Sequence, residues 1–306
     1  MSAASALPRW DMTVVYPSLT SPEFEQGFQN VTKSIADLGT LFDELTIGQR
    51  PPALLDAATV RAFERVITRV NDVLRDVQTL SAYISSFVST DSRDNLAQGK
   101  QSELQQHTVK LSQLMTRFTA WIGSLDVEAL IAQSQVARDH AFALHQAKEE
   151  AAHLMAPAEE ALAAELNVTG GRAWAKLHGN VTSQILVPIE LDGEAQELPM
   201  SAIRNLAAEP NRDVRRRAYE AELGGWQRVA VPLAAAMNSI KGEVNTLASR
   251  RNWPSPLDAA IFDANIDRQT LGAMMEAARA SFPDFRRYLR AKARALGVPA
   301  LAWYDL

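Results

Sequence analysis

Apolar residues recur along the first third of the chain at steps of three and four. Phe24, Phe28, Val31, Ile35, Leu38, Phe42 and Leu45 share one stripe of an α-helix, which Gly48 and Pro51-Pro52 stop. A second stripe, over about 56–88, takes in Phe63, Val66, Ile67, Val70, Val73, Leu74, Val77, Leu80, Ile84 and Phe87. A third, over about 92–122, carries Leu96, Leu104, Leu111, Leu114, Met115, Phe118 and Ile122. Gly123-Ser124 breaks it, and a fourth long helix is predicted over 127–155. Long helices with short connections pack as antiparallel neighbours, and stripes of similar length can cover one another. A coiled-coil dimer is the other arrangement such stripes allow. Ahead of them, Pro8, Pro17 and Pro22 punctuate an extended arm that Trp10, Tyr16 and Leu19 could pin to the body.

The pattern then changes. Pro157 opens a helix over 158–166, Thr169-Gly170-Gly171 ends it, and a short helix carries Trp174 and Leu177. Ile185–Leu191, Asp192-Gly193 and Glu194–Leu198 read as a β-hairpin, with Pro188 confining its strand to an edge. Ser201 is a candidate cap for a helix ending near Glu209-Pro210. Asn211 caps a long helix to about Arg250 that Pro232 should interrupt or kink. Pro254 and Pro256 mark a loop. Asp267 caps a further helix, and Pro283 starts another that ends at Gly297. The fold expected is mainly α, long antiparallel helices with one small β-hairpin near 185–198. It divides into an N-terminal helical domain over 1–155 (arm plus four long helices) and a second region over 156–306. The closing Trp303, Tyr304 and Leu306 call for burial by something that follows.

Composition narrows the function. A 47% hydrophobic and 22% charged chain of 306 residues can bury a core, and a net charge of -5 argues against general affinity for the nucleic-acid backbone. With no cysteine there is no disulfide, thiolate metal site or thiol nucleophile, which fits a reducing cytoplasm. The start lacks a basic segment followed by an apolar run, and no uninterrupted apolar stretch approaches the ~18 residues of a membrane span. The Asn-Val-Thr sequons at Asn30, Asn167 and Asn180 are then read as chance.

Candidate chemistry is sparse. None of the five histidines, His107, His140, His145, His153 and His178, is followed by Glu, so the zinc-peptidase pattern His-Glu-x-x-His is missing. His145, Glu149 and His153 are spaced by four and could share a helix face. Three collinear ligands over two turns make a poor tetrahedral cage, and a solvated polar face is preferred. Glu150-x-x-His153 is half of a di-iron signature without its second copy. Asp263-x-Asn265-x-Asp267 opens like a calcium loop, but Arg268 and Met274 replace the required Gly and Glu, so a helix cap at Asp267 explains it better. Arg212, Arg215, Arg216 and Arg217 could bind an anion or a peptide carboxylate. Ion pairs to Glu209, Asp213 and Glu220 on a solvated helix are the preferred reading. No phosphate-binding glycine loop and no Gly-x-Ser-x-Gly elbow occurs.

A series of segments in order carries more. Met155-Ala-Pro-Ala-Glu-Glu-Ala-Leu, Gly170-Gly-Arg-Ala-Trp-Ala-Lys-Leu, Asn211-Arg-Asp-Val-Arg-Arg-Arg-Ala-Tyr-Glu, Arg250-Arg-Asn-Trp-Pro-Ser-Pro-Leu-Asp and Leu296-Gly-Val-Pro-Ala-Leu-Ala-Trp-Tyr-Asp-Leu follow one another. With the early Trp10-Asp-Met-x-x-x-Tyr-Pro, they resemble the oligoendopeptidase F family of zinc metallopeptidases, relatives of thimet oligopeptidase. The resemblance implies a mostly helical cytoplasmic enzyme that cleaves short peptides inside a channel. Its zinc would be held by His-Glu-x-x-His and a downstream Glu, in a region beyond the Tyr-Asp-Leu segment. It implies that residues 1–155 form one wall of that channel and that 156–306 begin the catalytic domain. No catalytic, metal or substrate-binding residue is carried onto this chain, which is expected to be inactive alone. A non-enzymatic helical module that binds a peptide or partner helix is the alternative.

Overall fold

The computed structural model describes residues 10–51 and 54–306, so Pro8 and Pro52 of the expected arm and loop lie outside the described residues. The chain divides into two compact units, Met1–Val168 and Thr169–Leu306. The architecture is mainly α, with one two-stranded antiparallel sheet.

In the first unit, α1 (Pro22–Glu44), α2 (Ala57–Thr90) and α3 (Asn95–Gly123) pack on one another. Each starts on a side-chain cap: Ser21, Asp56 and Asp94 accept from Phe24, Thr59 and Ala97 backbone N–H groups. Their stripes meet inside the chain, where Phe24, Phe42, Phe63, Leu80, Trp121 and Ile122 are buried together. α1 stops before Gly48. Thr46 takes the left-handed conformation at φ 50°, and the Ile47 N–H reaches back to the Phe42 carbonyl at 2.8 Å. This is the six-to-one bond of a Schellman cap, and Ile47 closes it by entering the core.

The arm is held by Tyr16 and Leu19, but Trp10, expected to help, is 94% exposed. Tyr83 takes part instead. It is buried in α2, stacks edge-on against Tyr16 at 5.0 Å and donates its hydroxyl to the Tyr16 carbonyl at 2.9 Å. Gly27 makes the close seat possible, since a Cβ there would stand 2.5 Å from Tyr16 Oη. Leu74 and Leu96, placed on the stripes by spacing, point to solvent.

The fourth long helix expected over 127–155 is divided into α4 (Val127–Gln133), α5 (Gln135–Asp139) and α6 (Ala141–Ala151). Ser134 makes the first break. Its backbone is extended, and its buried hydroxyl accepts from Ala137 N–H and donates to Glu64 Oε1 at 2.6 Å. A serine that satisfies both its neighbours and a carboxylate this way competes successfully with the helix. His140 makes the second, its ring spanning the Val136 carbonyl and the Asn71 amide. α6 then lies on α3 so closely that a Cβ on Gly123 would stand 2.3 Å from Ala151 Cβ.

α7 (Pro157–Thr169) opens on Pro157 as expected and runs to the junction of the units. In the second unit, α8 (Gly171–Ser183) carries Trp174 and Leu177 and packs on α11 (Ala230–Arg250). The hairpin pairs β1 (Leu186–Leu191) with β2 (Glu194–Pro199), from Leu186↔Pro199 to Leu191↔Glu194. Asp192 and Gly193 turn it with φ 52° and 80°, both positive as a two-residue type I′ turn requires. Val187 and Ile189 face α9 (Met200–Asn205) and α10 (Arg212–Arg228) in a small second core. The expected Ser201 cap is absent, because α9 starts at Met200, after Pro199, two residues earlier than a Ser201 cap would place it.

The helix expected from Asn211 to Arg250 is interrupted near Pro232 as expected: it breaks at Val229, and Pro232 sits in the first turn of α11, where its missing N–H is harmless. Two other proline expectations are corrected. Pro256 opens α12 (Pro256–Asp263), capped by Ser255, where a loop was expected. Pro283 lies inside α13 (Arg268–Ala295) rather than starting a new helix; it deprives the Arg279 carbonyl of its usual donor, and the strong helix formers on either side carry the helix through. No described helix is long and apolar enough to cross a membrane.

Candidate functional site

The candidate metal residues do not converge. α6 ends at Ala151, so His153 lies past the helix, in a turn where its N–H meets the Glu150 carbonyl at 2.9 Å. The four-residue spacing to Glu149 therefore no longer places both on one helical face. His145 faces Glu128, with Nδ1 3.6 Å from Oε1. Among the described residues, no group of three or more His, Asp or Glu side chains could hold a metal ion. The donor set that zinc requires is thus not assembled from them. The Asp263-x-Asn265-x-Asp267 segment is two helix caps in succession. Asn265 ends α12 in the left-handed conformation at φ 53°, and Asp267 Oδ1 accepts from Thr270 N–H at 2.6 Å to start α13.

The arginine cluster at the start of α10 is a structural lock. Asn211 caps the helix and aims the first turn. Arg212 then donates through Nε and Nη2 to the two oxygens of Asp305, both at 2.8 Å, while its guanidinium lies 4.9 Å over the Tyr304 ring. Such a fork-on-carboxylate pair is the strongest form of ion pairing available to a side chain. Arg215 donates to the Tyr304 carbonyl at 2.8 Å and to the Glu209 and Pro210 carbonyls. Asp305 is buried, also accepts from Ala302 N–H at 3.0 Å, and its carboxyl is held below the ordinary value by the Arg212 hydrogen bonds. Arg216 bridges Asp213 and Glu220, and Arg217 pairs with Asp213 and donates to the Glu190 carbonyl. Two of the three expected partners are therefore present. At Glu209 the backbone carbonyl takes the place of the side chain, and the Asp305 partner was missed. All four arginines are engaged internally, so the cluster is not an open anion site.

The lock also bears on the chain's closing segment. Trp303–Asp305 forms a single 3-10 turn seated on α10, with Tyr304 against Tyr219 at 5.8 Å. Trp303 and Leu306 stay 70% and 61% exposed, so only part of the aromatic end is covered within the chain.

One cleft of about 240 Å³ lies between α1 and α3, floored by Gly39 and Leu114 and rimmed by Asp43, Lys110, Gln113 and Arg117. It is below the ~300–1,000 Å³ of ordinary small-molecule sites, and Arg117 already bonds Asp43 at 2.9 Å and the Ile47 carbonyl across its mouth.

The described residues assemble no group that could hold a metal ion, and likeness to known proteins is the further guide. The family model described as Oligopeptidase F matches residues 122–185. The oligoendopeptidase F homolog of Lactococcus lactis subsp. lactis is 23% identical over 314 residues, which takes in 97% of this chain and 48% of that protein. The plasmid oligoendopeptidase F of Lactococcus lactis subsp. cremoris matches to the same extent. The crystal structure of oligoendopeptidase F from Enterococcus faecium superposes with a TM-score of 0.78 at 19% identity, covering 93% of this chain and 55% of that one. The chain matches the N-terminal half of oligoendopeptidase F. The family resemblance seen in the ordered segments thus holds along nearly the whole chain, which spans about half the length of the curated relatives it matches. The fold, mainly α with one small hairpin, is shared with the Enterococcus faecium structure.

Proposed function

We propose that this chain is the N-terminal, channel-wall portion of a zinc metallo-oligoendopeptidase that hydrolyses short peptides in the cytoplasm. The observation that carries the proposal is the end-to-end match: 97% of the chain aligns with a single stretch that is 48% of the curated relative. In this reading the first 155 residues wall the channel, and residues 156–306 begin the catalytic domain. The long helices suit that task. Their apolar faces are spent on one another, leaving a rigid wall that can exclude folded proteins while admitting an extended peptide.

The chemistry would come from outside these residues. Zinc in the complete enzyme supplies Lewis-acid activation of water. The described residues of this chain do not fit that ion, and the sequence contains no His-Glu-x-x-His. What this chain contributes is confinement and orientation of the peptide, and alone it is inactive.

The test is hydrolysis of internally quenched peptides of about eight residues by the purified 306-residue chain, with and without added zinc. No turnover above buffer is expected in either condition. Zinc-dependent cleavage at ordinary enzyme rates, on the order of 1–1,000 per second, would overturn the assignment of the catalytic centre to other residues.

A further inference from the structure

The two outer edges of the β-hairpin differ. Leu191 and Glu194 flank a two-residue turn and so form a hydrogen-bonded pair, and the register makes Ile189↔Gln196 and Val187↔Leu198 the next such pairs. The backbone groups of Leu186, Pro188 and Glu190 therefore face outward from β1, and those of Ala195 and Glu197 face outward from β2. The β1 edge is closed. Arg217 donates to the Glu190 carbonyl, Arg228 donates to the Leu186 carbonyl at 2.7 Å, and Pro188 between them has no N–H to offer. The β2 edge has no such cover. Ala195 and Glu197 are exposed, and their N–H and C=O groups have no hydrogen-bond partner among the described residues. An open strand edge is a template for a further strand.

Charge says which kind of strand. Between Lys176 and Arg204 the sequence has no Lys or Arg, and the hairpin carries Glu190, Asp192, Glu194 and Glu197. All four are exposed and have no ion pair among the described residues. Arg217 and Arg228 reach the hairpin from α10, but on the β1 side and through backbone carbonyls. Glu190 and Glu197 share the sheet face opposite Val187 and Ile189, and Ala195 is the cross-strand partner of Glu190. On an added strand, a Lys or Arg opposite Ala195 would extend over that small side chain to Glu190, with Glu197 as its diagonal neighbour. A second copy of the hairpin would bring carboxylates to carboxylates, which opposes pairing.

We propose that the outer edge of β2 binds an extended peptide segment as a third strand, with a basic residue opposite Ala195. Backbone hydrogen bonds to Ala195 and Glu197 hold the segment, and the carboxylates set its register and reject acidic strands. The inference stands on the edges and charges of the hairpin and does not depend on the peptidase reading.

Labelled peptides of sequence Thr-Val-Lys-Val-Thr-Val test it by fluorescence anisotropy against the 306-residue chain. The lysine peptide is expected to bind about tenfold or more tightly than its glutamate counterpart, with the preference shrinking as salt rises. N-methylation of the lysine, whose N–H faces β2, should abolish binding, whereas N-methylation of the valine after it, whose N–H faces away, should leave binding within about twofold. In the chain, Glu190→Lys with Glu197→Lys should reverse the preference. Both positions are exposed, and an unchanged thermal melt confirms that the variant folds. Absence of binding, equal binding of the two peptides, equal effects of the two N-methylations, or a preference unmoved by the double variant overturns the proposal. So does a dimer in sedimentation that Ala195→Pro dissolves, which would assign the edge to a second copy.

Discussion

Arg212 and Asp305, separated by 93 residues, are joined by two parallel hydrogen bonds of 2.8 Å. The pair ties the first turn of α10 to the 3-10 turn Trp303–Asp305, and the ring of Tyr304 fills the space under the guanidinium. Asp305→Asn keeps the shape and removes the charge. The turn should then come loose, and amide exchange over 303–306 should quicken by about tenfold or more.

The same pair has a pH signature. The folded-state pKa of Asp305 is depressed by Arg212, so the stability it contributes is complete above the unfolded carboxylate value, near 3.8, and is lost as pH falls through the lower folded value. Urea denaturation of the parent and of Asp305→Asn should therefore differ at neutral pH and converge below about pH 4. A difference that grows on acidification would mean that the carboxylate is not the favoured form.

Ser134→Ala removes both the cap on Ala137 N–H and the bond to Glu64 from a buried site. A loss of about 1–3 kcal/mol is expected in chemical denaturation. A loss under about 0.5 kcal/mol would show that other contacts hold the break between α4 and α5.

Gly123→Ala tests the approach of α6 to α3. The new methyl would stand 2.3 Å from Ala151 Cβ, and overpacking of this kind costs about 1–3 kcal/mol, more than the ~1 kcal/mol that alanine gains over glycine in a helix. Adding Ala151→Gly should recover part of the loss, so the two changes should couple favourably in a double-mutant cycle. Strict additivity would contradict the contact.

Much of this architecture was legible in residue spacing. The stripes of α1, α2 and α3 repeat often enough to set type and face, and Asp192-Gly193 between apolar runs specifies its turn. What spacing could not convey were bonds made by polar groups to distant partners. Ser134 reads as an ordinary member of a helical run until Glu64, 70 residues away, is brought to it. Tyr83 keeps the spacing of its stripe, but the Tyr16 carbonyl that its hydroxyl meets is 67 residues away, and Asp305 looks like a tail residue until Arg212 reaches it. Prolines misled because position within a turn decides their effect. Pro256 opens a helix where an N–H is not needed, and Pro283 is carried by its neighbours, whereas the break expected near Pro232 is found at Val229. The metal candidates were weak in the sequence and the structure does not bring them together, the arginines of α10 are brought together but taken up by internal bonds, and the ordered segments, spread over nearly the whole chain, carried the family resemblance.

The central claim is that this chain is the wall-forming half of a peptidase whose zinc-binding residues lie elsewhere in the same polypeptide. Sequencing the gene past the codon for Leu306 tests it most directly. The expected result is an open frame that goes on to encode His-Glu-x-x-His with a further Glu downstream. A stop codon immediately after Leu306, or a continuing frame without that motif, would contradict it.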